Sequence, residues 1–247
     1  MSRRSQSQPS PLTKSQTGLM VWLRADYEFP STFSYRMPDV SAQFAVGSPI
    51  PSPATVKLAL VDTAIRWSGN VAEGRRIFDL VKALRVCVVP PPRVVRFRAF
   101  IKRLKPPHSS AGASAPTVES TGVRDYFLLE GPLSVYIEVP RAHAGKIREL
   151  LLRIRRFGTS DSLCWCTGVN EEAPDNRLCP QVLANLTPTQ YGLVVRLSDL
   201  SASSQFDGFN PFGGTARQAN LEKQVYVLPL TVKRSGETWA ILERNRT

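Results

Sequence analysis

Residues 35–69 read YRMPDVSAQFAVGSPIPSPATVKLALVDTAIRWSG, and the change of pattern inside this stretch decides the fold class. Pro49-Ile50-Pro51-Ser52-Pro53 is a stiff extended run delivered straight into a helix. Ser52 fits the N-cap and Pro53 the first helical position, where a missing N–H costs nothing. From residue 54 to 67 the pattern is apolar nearly all round, with only Lys57, Asp62 and Arg66 charged. Such a helix is buried on more than one side. The preceding residues 18–25, GLMVWLRA, read as a first strand whose continuous apolar run implies burial on both faces.

Working outward, the connection 29–48 contains Arg36 and Phe44 and is long enough to be functional. Asn70 opens a second helix over 70–84, with Glu73 three residues on in a capping-box arrangement and Ile77, Leu80, Val81 and Leu84 as its apolar stripe. Gly74 interrupts that helix. Residues 85–105 form a strand region in which, after three prolines, RVVRFRAFIKR alternates. Val95, Phe97, Ala99 and Ile101 point one way, and Arg96, Arg98 and Lys102 the other. Three cations with no anion on that face leave no partner within the strand, which suits a phosphate-tracking surface.

Residues 106–122 are rich in Ser, Ala and Pro and pack no core. Strands follow at 123–130 and 133–139, then an amphipathic helix over 141–157 with Ile147, Leu150, Leu151 and Ile154 as its stripe. Lys146, Arg148, Arg153, Arg155 and Arg156 dominate its other faces, suiting both the helix dipole and a phosphate-contacting turn. With a strand over 162–169 the order is β-α-β-β-α-β, the ferredoxin-like or RRM-like pattern. The stacking-aromatic consensus of a true RRM is absent. From residue 180 strands recur at 192–197, 224–232 and 238–243. The stretch 205–218, QFDGFNPFGGTARQ, lacks the lysine of a P-loop and reads as a surface loop or packing arm.

The 247 residues carry 32 Lys+Arg against 20 Asp+Glu, a net charge of +12 dominated by arginine, which implies a polyanionic partner. No run of eighteen apolar residues and no signal peptide are present, so a cytoplasmic location and no membrane are expected. Residues 1–16 read as a disordered basic tail. The four cysteines do not suggest a disulfide framework, and Cys164-x-Cys166 with Cys179 has the wrong spacing for zinc, leaving buried thiols and no metal or cofactor.

A proline-rich segment and P-S-x-A-T opening a buried helix after the first strand resemble the RAMP proteins of type I CRISPR systems. More narrowly the chain is similar to the Cas-five family, the subunit that caps the handle end of the guide RNA in Cascade. Residues 129–136 (LEGPLSVY), 157–163 (FGTSDSL) and 226–230 (YVLPL) agree with it. The resemblance implies an α+β fold: a ferredoxin-like (RRM-like, RAMP) domain over 17–179, a thumb hairpin inserted at about 97–124, and a C-terminal β-rich lobe over 180–247. It also implies a subunit that holds guide (CRISPR) RNA, seats the large subunit and the backbone RAMP subunits, and meets target DNA through the complex.

The candidate RNA-binding residues are Arg36, Ser52, Thr55, Lys57, Arg93, Arg96, Arg98, Lys102, Arg103, Arg153, Arg155, Arg156 and Ser160. They combine cations for phosphates with the N–H groups at the start of the 52–67 helix. Segments 29–48 and 157–160 would hold splayed bases. No catalytic residue is expected: His108 and His143 are the sole histidines, and no triad follows from spacing. Two alternatives stay open. One is a metal-independent endoribonuclease of the same superfamily using His108 and Tyr126; the other is an RNA-binding module unrelated to CRISPR.

Overall fold

Side-chain alternation shapes the first strand, β1 (Met20–Glu28), in a computed structural model that describes residues 19–41, 44–105, 118–185, 191–209 and 220–245. Val21, Leu23, Ala25 and Tyr27 are buried, whereas Trp22, Arg24 and Asp26 are half-buried, so only one face enters the main core. The expectation of burial on both faces is corrected: Arg24 and Asp26 keep the second face partly wet. The elements that follow are β2 (Phe44–Ala45), α1 (Pro53–Ser68), α2 (Val71–Val81), β3 (Val86–Val89), β4 (Arg93–Lys105) and β5 (Val118–Glu130). Then come β6 (Leu133–Pro140), α3 (Arg141–Arg153), β7 (Trp165–Glu171), β8 (Gln181–Val182), β9 (Leu193–Leu200), β10 (Leu221–Leu228), β11 (Leu230–Ser235) and β12 (Trp239–Arg244).

One sheet has the order β3-β6-β1-β7, and every adjacent pair is antiparallel. Helices α1 and α2 lie between β1 and β3 in the chain, and α3 between β6 and β7, so the β-α-β-β-α-β succession is present with α2 as an addition. Ser52 caps α1 by accepting from the Thr55 N–H at 3.2 Å, and Gly69 closes it in the left-handed region. Asn70 caps α2 by accepting from the Ala72 N–H at 2.8 Å. The reciprocal contact expected of Glu73 is replaced by an ion pair with Lys146 at 3.2 Å.

The strand region 85–105 is two strands in two sheets. Pro90, Pro91 and Pro92 have no N–H to give to a ladder, and the chain leaves the first sheet there. Strand β4 joins a second sheet of order β11-β12-β4-β5-β2, while β8-β10-β9 forms a third. Because β12 pairs with β4, residues after 180 complete a sheet begun by residues 93–130. The main core cluster draws on residues before and after 180, from Val21 to Leu242. Pro229 divides the expected strand 224–232 into β10 and β11.

Strands β4 and β5 pair continuously from Arg93↔Glu130 to Lys105↔Val118. Past Arg98, whose N–H donates to the Thr238 carbonyl at 2.8 Å, and past the Phe44↔Val123 pair, they pair only with each other among the described residues. Residues 100–105 therefore extend as a free two-stranded arm of roughly 20 Å, with Phe100 and Leu104 exposed. This arm occupies the region expected for the thumb; residues 106–117, with His108, lie outside the described residues, as do the 1–16 tail and Phe212.

The cysteine expectation is also corrected: Cys87 of β3 is bonded to Cys179. After β7 the chain returns over the outer face of the first sheet and packs Leu178 and Cys179 against Trp22, Val89 and Tyr136, which brings the two thiols together. Cys164 and Cys166 stay free, and burial pushes the Cys164 thiol up to about 12.

Gly74 is explained by close approach. A Cβ there would overlap the Ile65 side chain of α1. Gly74→Ala is expected to lower stability by about 1–2 kcal/mol despite its better helix propensity. Gly145 of α3 has open space at the same position, so Gly145→Ala should stabilise by about 1 kcal/mol. Urea midpoints of the two variants decide; a Gly74→Ala midpoint at or above the parent removes the close-packing account.

Candidate nucleic-acid interface

The first turn of α1 is closed to ligands. Pro53 has no N–H, the Thr55 N–H goes to Ser52 Oγ, and the Val56 N–H goes to the Ser52 carbonyl at 3.2 Å. Ser52, Pro53 and Ala54 are buried. Lys57 is 1% exposed, with its Nζ 2.7 Å from Asp199 and donating to the Lys82 carbonyl at 3.1 Å. Burial pushes the Asp199 carboxyl upward while Lys57 holds it down. Ser52 and Lys57 are thus interior residues, and the expected anion site at the start of α1 is corrected on both counts.

Thr55 sits differently, in the wall of a groove. The loop after α3 is knotted to the 29–48 connection by hydroxyls: Ser34 N–H donates to Ser162 Oγ at 3.0 Å, and Ser162 and Thr159 hydroxyls donate to the Ser34 carbonyl at 3.1 and 3.3 Å. Gly158 takes φ +76°, a conformation L side chains rarely adopt, and a Cβ there would face Thr55 and Tyr35 at 3.8 Å each. The two segments expected to hold bases therefore lie side by side. Ser160 is exposed on this loop, with its hydroxyl on Asp161 at 3.3 Å; Arg36 is exposed on the other segment, where its backbone bridges Gly47.

The expected helix 141–157 stops at Arg153. Tyr27 fixes that end from β1, donating its hydroxyl to the Leu151 carbonyl at 2.8 Å and meeting Phe157 edge-on at 4.8 Å. Arg155 donates to the Leu152 and Ile154 carbonyls at 3.0 and 3.2 Å, and Arg153 to the Glu149 carbonyl at 2.9 Å. Each guanidinium has five donors, so most of each fork still points outward. Arg153, Arg155 and Arg156 meet Arg66 and Trp67 of α1 around a cavity of about 440 Å³. Among the described residues its sole carboxylate is Asp62, 2.8 Å from Arg66 and 3.9 Å from Arg156. Arg153 stacks over Trp67 at 3.8 Å with Lys146 at 4.8 Å. Arg66 and Trp67 were missed by sequence reading; the one available signal was an Arg-Trp pair closing an otherwise apolar helix.

The β4 cations lie apart from this cluster and are mostly paired. Arg98 donates to the buried Asp125 carboxylate at 3.0 Å, Lys102 meets Glu119 at 2.7 Å, and Arg93 meets Glu130 at 3.2 Å. The anions absent from the strand come from its neighbour. Arg96 is half-buried on the face that also carries Val94, and among the described residues its Nε has no hydrogen-bond partner. The exposed side of this sheet is instead the apolar one, with Phe97 stacked on Tyr126 and with Leu128 and Trp239 exposed. The side chain of Arg103 lies outside the described residues. A chain of contacts nevertheless joins the two regions: Arg98 to Asp125, Asp125 to Ser34 at 3.1 Å, and Ser34 to the 157–162 loop.

No protein-family model matches the chain. It is 32% identical over 235 residues, 91% of this chain and 99% of the relative, to the CRISPR-associated protein Cas5 of Archaeoglobus fulgidus. The chain belongs to the Cas5 family. This removes the reading as a module unrelated to CRISPR. Among solved structures, a CRISPR protein from Archaeoglobus fulgidus aligns with TM-score 0.48 and 13% identity, covering 92% of this chain and 93% of that one. A chain of a CRISPR RNA-guided surveillance complex aligns with TM-score 0.40 and 12% identity over 84% and 88%. Membership in the Cas5 family rests on the sequence relationship.

The interior role of Lys57 has a direct consequence. Lys57→Met leaves the half-buried Asp199 carboxylate without its partner and should cost about 1–3 kcal/mol at neutral pH. Asp199 then titrates higher in the folded than in the unfolded chain. Such a group lowers stability as pH rises through its folded-state value, so the loss should shrink at pH 5. Lys57→Met with Asp199→Leu should recover most of it. Denaturant melts at both pH values test this; a Lys57→Met loss equal at both would mean Asp199 is not the cause.

Proposed function

We propose that this Cas5-family chain is a non-catalytic RNA-binding subunit of a type I CRISPR surveillance complex, gripping the 5′ handle of the guide RNA and seating the large and backbone subunits. The observation that carries the reading is the end-to-end relationship to Cas5. In this reading β1, α1, β3, β6, α3 and β7 make a ferredoxin-like RAMP domain, and the β4–β5 arm is its thumb.

The grip is centred on the end of α3 and the 157–162 loop rather than on the start of α1. Arg153, Arg155 and Arg156 keep unsatisfied donors and face solvent, which suits phosphate oxygens. Arg36, exposed on the 29–48 connection, extends the same chemistry beside that loop. The apolar open face around Phe97, Leu128 and Trp239 suits a neighbouring protein subunit.

The test is a metal-free incubation of the chain with end-labelled CRISPR repeat RNA, read on native and denaturing gels. Intact, shifted RNA is the expected result. Arg155→Gln with Arg156→Gln should weaken the shift several-fold and reduce the log–log salt slope by about 1.4, two single-strand phosphate contacts. Cleaved RNA would replace the non-catalytic reading with that of a processing endonuclease and make Tyr126 and His108 the next substitutions.

A further inference from the structure

The arginine-lined cavity does not stand alone. On the exposed strip of α1 it adjoins a second cavity of about 380 Å³, and the two share Ala59, Asp62 and Arg156 as common wall. The second is mainly apolar, built from Leu58, Ile65, Phe206 and Phe209, with Thr55 and Gly158 at its loop end. Phe206 and Phe209 are set in place by Phe78 of α2, at ring distances of 5.8 and 5.6 Å. Arg75 pins the same turn through Asp207 at 2.6 Å and by lying over the Phe206 ring at 4.8 Å. The stretch 205–218 thus begins as a packing arm on its own domain. Each cavity falls within the roughly 300–1,000 Å³ range of small-ligand sites.

Four guanidinium groups around one cavity with a single carboxylate repel one another, and a cleft of one sign concentrates the field on whatever enters it. Stacking of Arg153 on Trp67 and the bonds from Arg153 and Arg155 to α3 carbonyls hold these groups in place before any ligand arrives. An aromatic-walled apolar pocket next to preorganised arginines matches a ligand that is flat and apolar-faced at one end and anionic at the other. An acidic peptide would satisfy the arginines but leave the pocket between Ile65 and Phe209 unfilled.

We propose that this groove is a nucleotide subsite: the base of one unpaired nucleotide enters the Leu58–Ile65–Phe206–Phe209 pocket, and its phosphate sits among Arg66, Arg153, Arg155 and Arg156. The phosphate comes either from a free nucleotide or from single-stranded RNA. The RNA form rests on the function proposed above; the free-nucleotide form does not.

Ala59 lies half-buried on the shared wall of the two cavities, so Ala59→Glu places a carboxylate between base and phosphate. Saturation-transfer NMR of the full chain with 5′-AMP should give base-proton signals that Ala59→Glu abolishes, with circular dichroism confirming that the variant is folded. A short single-stranded RNA carrying one 4-thiouridine should photocrosslink to peptides bearing Ile65, Phe206 or Phe209. Its affinity should fall about tenfold in Ala59→Glu, the loss of one charge-assisted contact. RNA that binds equally to parent and variant, with crosslinks elsewhere, would overturn the subsite and leave the RNA-binding function standing. An AMP signal without RNA binding would do the reverse. Silence in both overturns both, and displacement of nothing but polyglutamate would mark the cluster as a docking site for an acidic protein segment.

Discussion

The ion pair between Lys57 and Asp199 is the constraint on which the packing of this chain turns. Helix α1 is enclosed by α2, α3, β3 and β9, and Lys57 sits in the interior of that enclosure. An ammonium held there needs a counter-charge and hydrogen-bond acceptors, because the desolvation of an unpaired ion costs several kcal/mol. Asp199 of β9 and the Lys82 carbonyl after α2 provide them. The three-stranded sheet is thereby locked to the helix layer by a charge as well as by apolar contact. Among the described residues the strip of α1 through Leu58, Asp62 and Arg66 is only partly covered, and both cavities open onto it.

The chemistry of the surface follows from what the interior leaves over. Arginines at the end of α3 answer the helix dipole and the last free carbonyls, but each needs only one or two of its donors to do so. On β4 the reverse holds: Asp125, Glu119 and Glu130 from β5 take up cations that look unpartnered along the strand. Two sets of basic residues of similar density thus differ in availability. The cause is cross-strand register, which a single strand cannot display.

Local signals were legible and relations between segments were not. The Ser52 cap, the buried helix behind it, the alternation of residues 93–103 and the apolar stripe of α3 could all be read from spacing, because each is fixed within a few residues. Which face of β4 turns inward could not. Both faces carry apolar residues, and Val94 rather than Val95 is the one enclosed. Lys57 looked like a surface cation in a helix because its partner lies 142 residues away in the chain. The knot between Ser34 and Ser162 and the bond between Cys87 and Cys179 are likewise products of chain return. Arg66 and Trp67 gained meaning only when the end of α3 and the residues after it placed Arg153, Arg155 and Arg156 opposite them.

The Cys87–Cys179 bond closes a loop of 92 residues that contains the whole β4–β5 hairpin together with β6, α3 and β7. Cys87 stands just before the three prolines from which the outgoing strand of the hairpin departs. A projecting arm is a lever, and a load at its tip produces torque at its root. Strand β3 is an edge strand, the member of the first sheet most easily peeled away. The covalent tie anchors that edge to the segment lying across the sheet, so the strand from which the chain leaves through the prolines is held by a bond as well as by one short ladder.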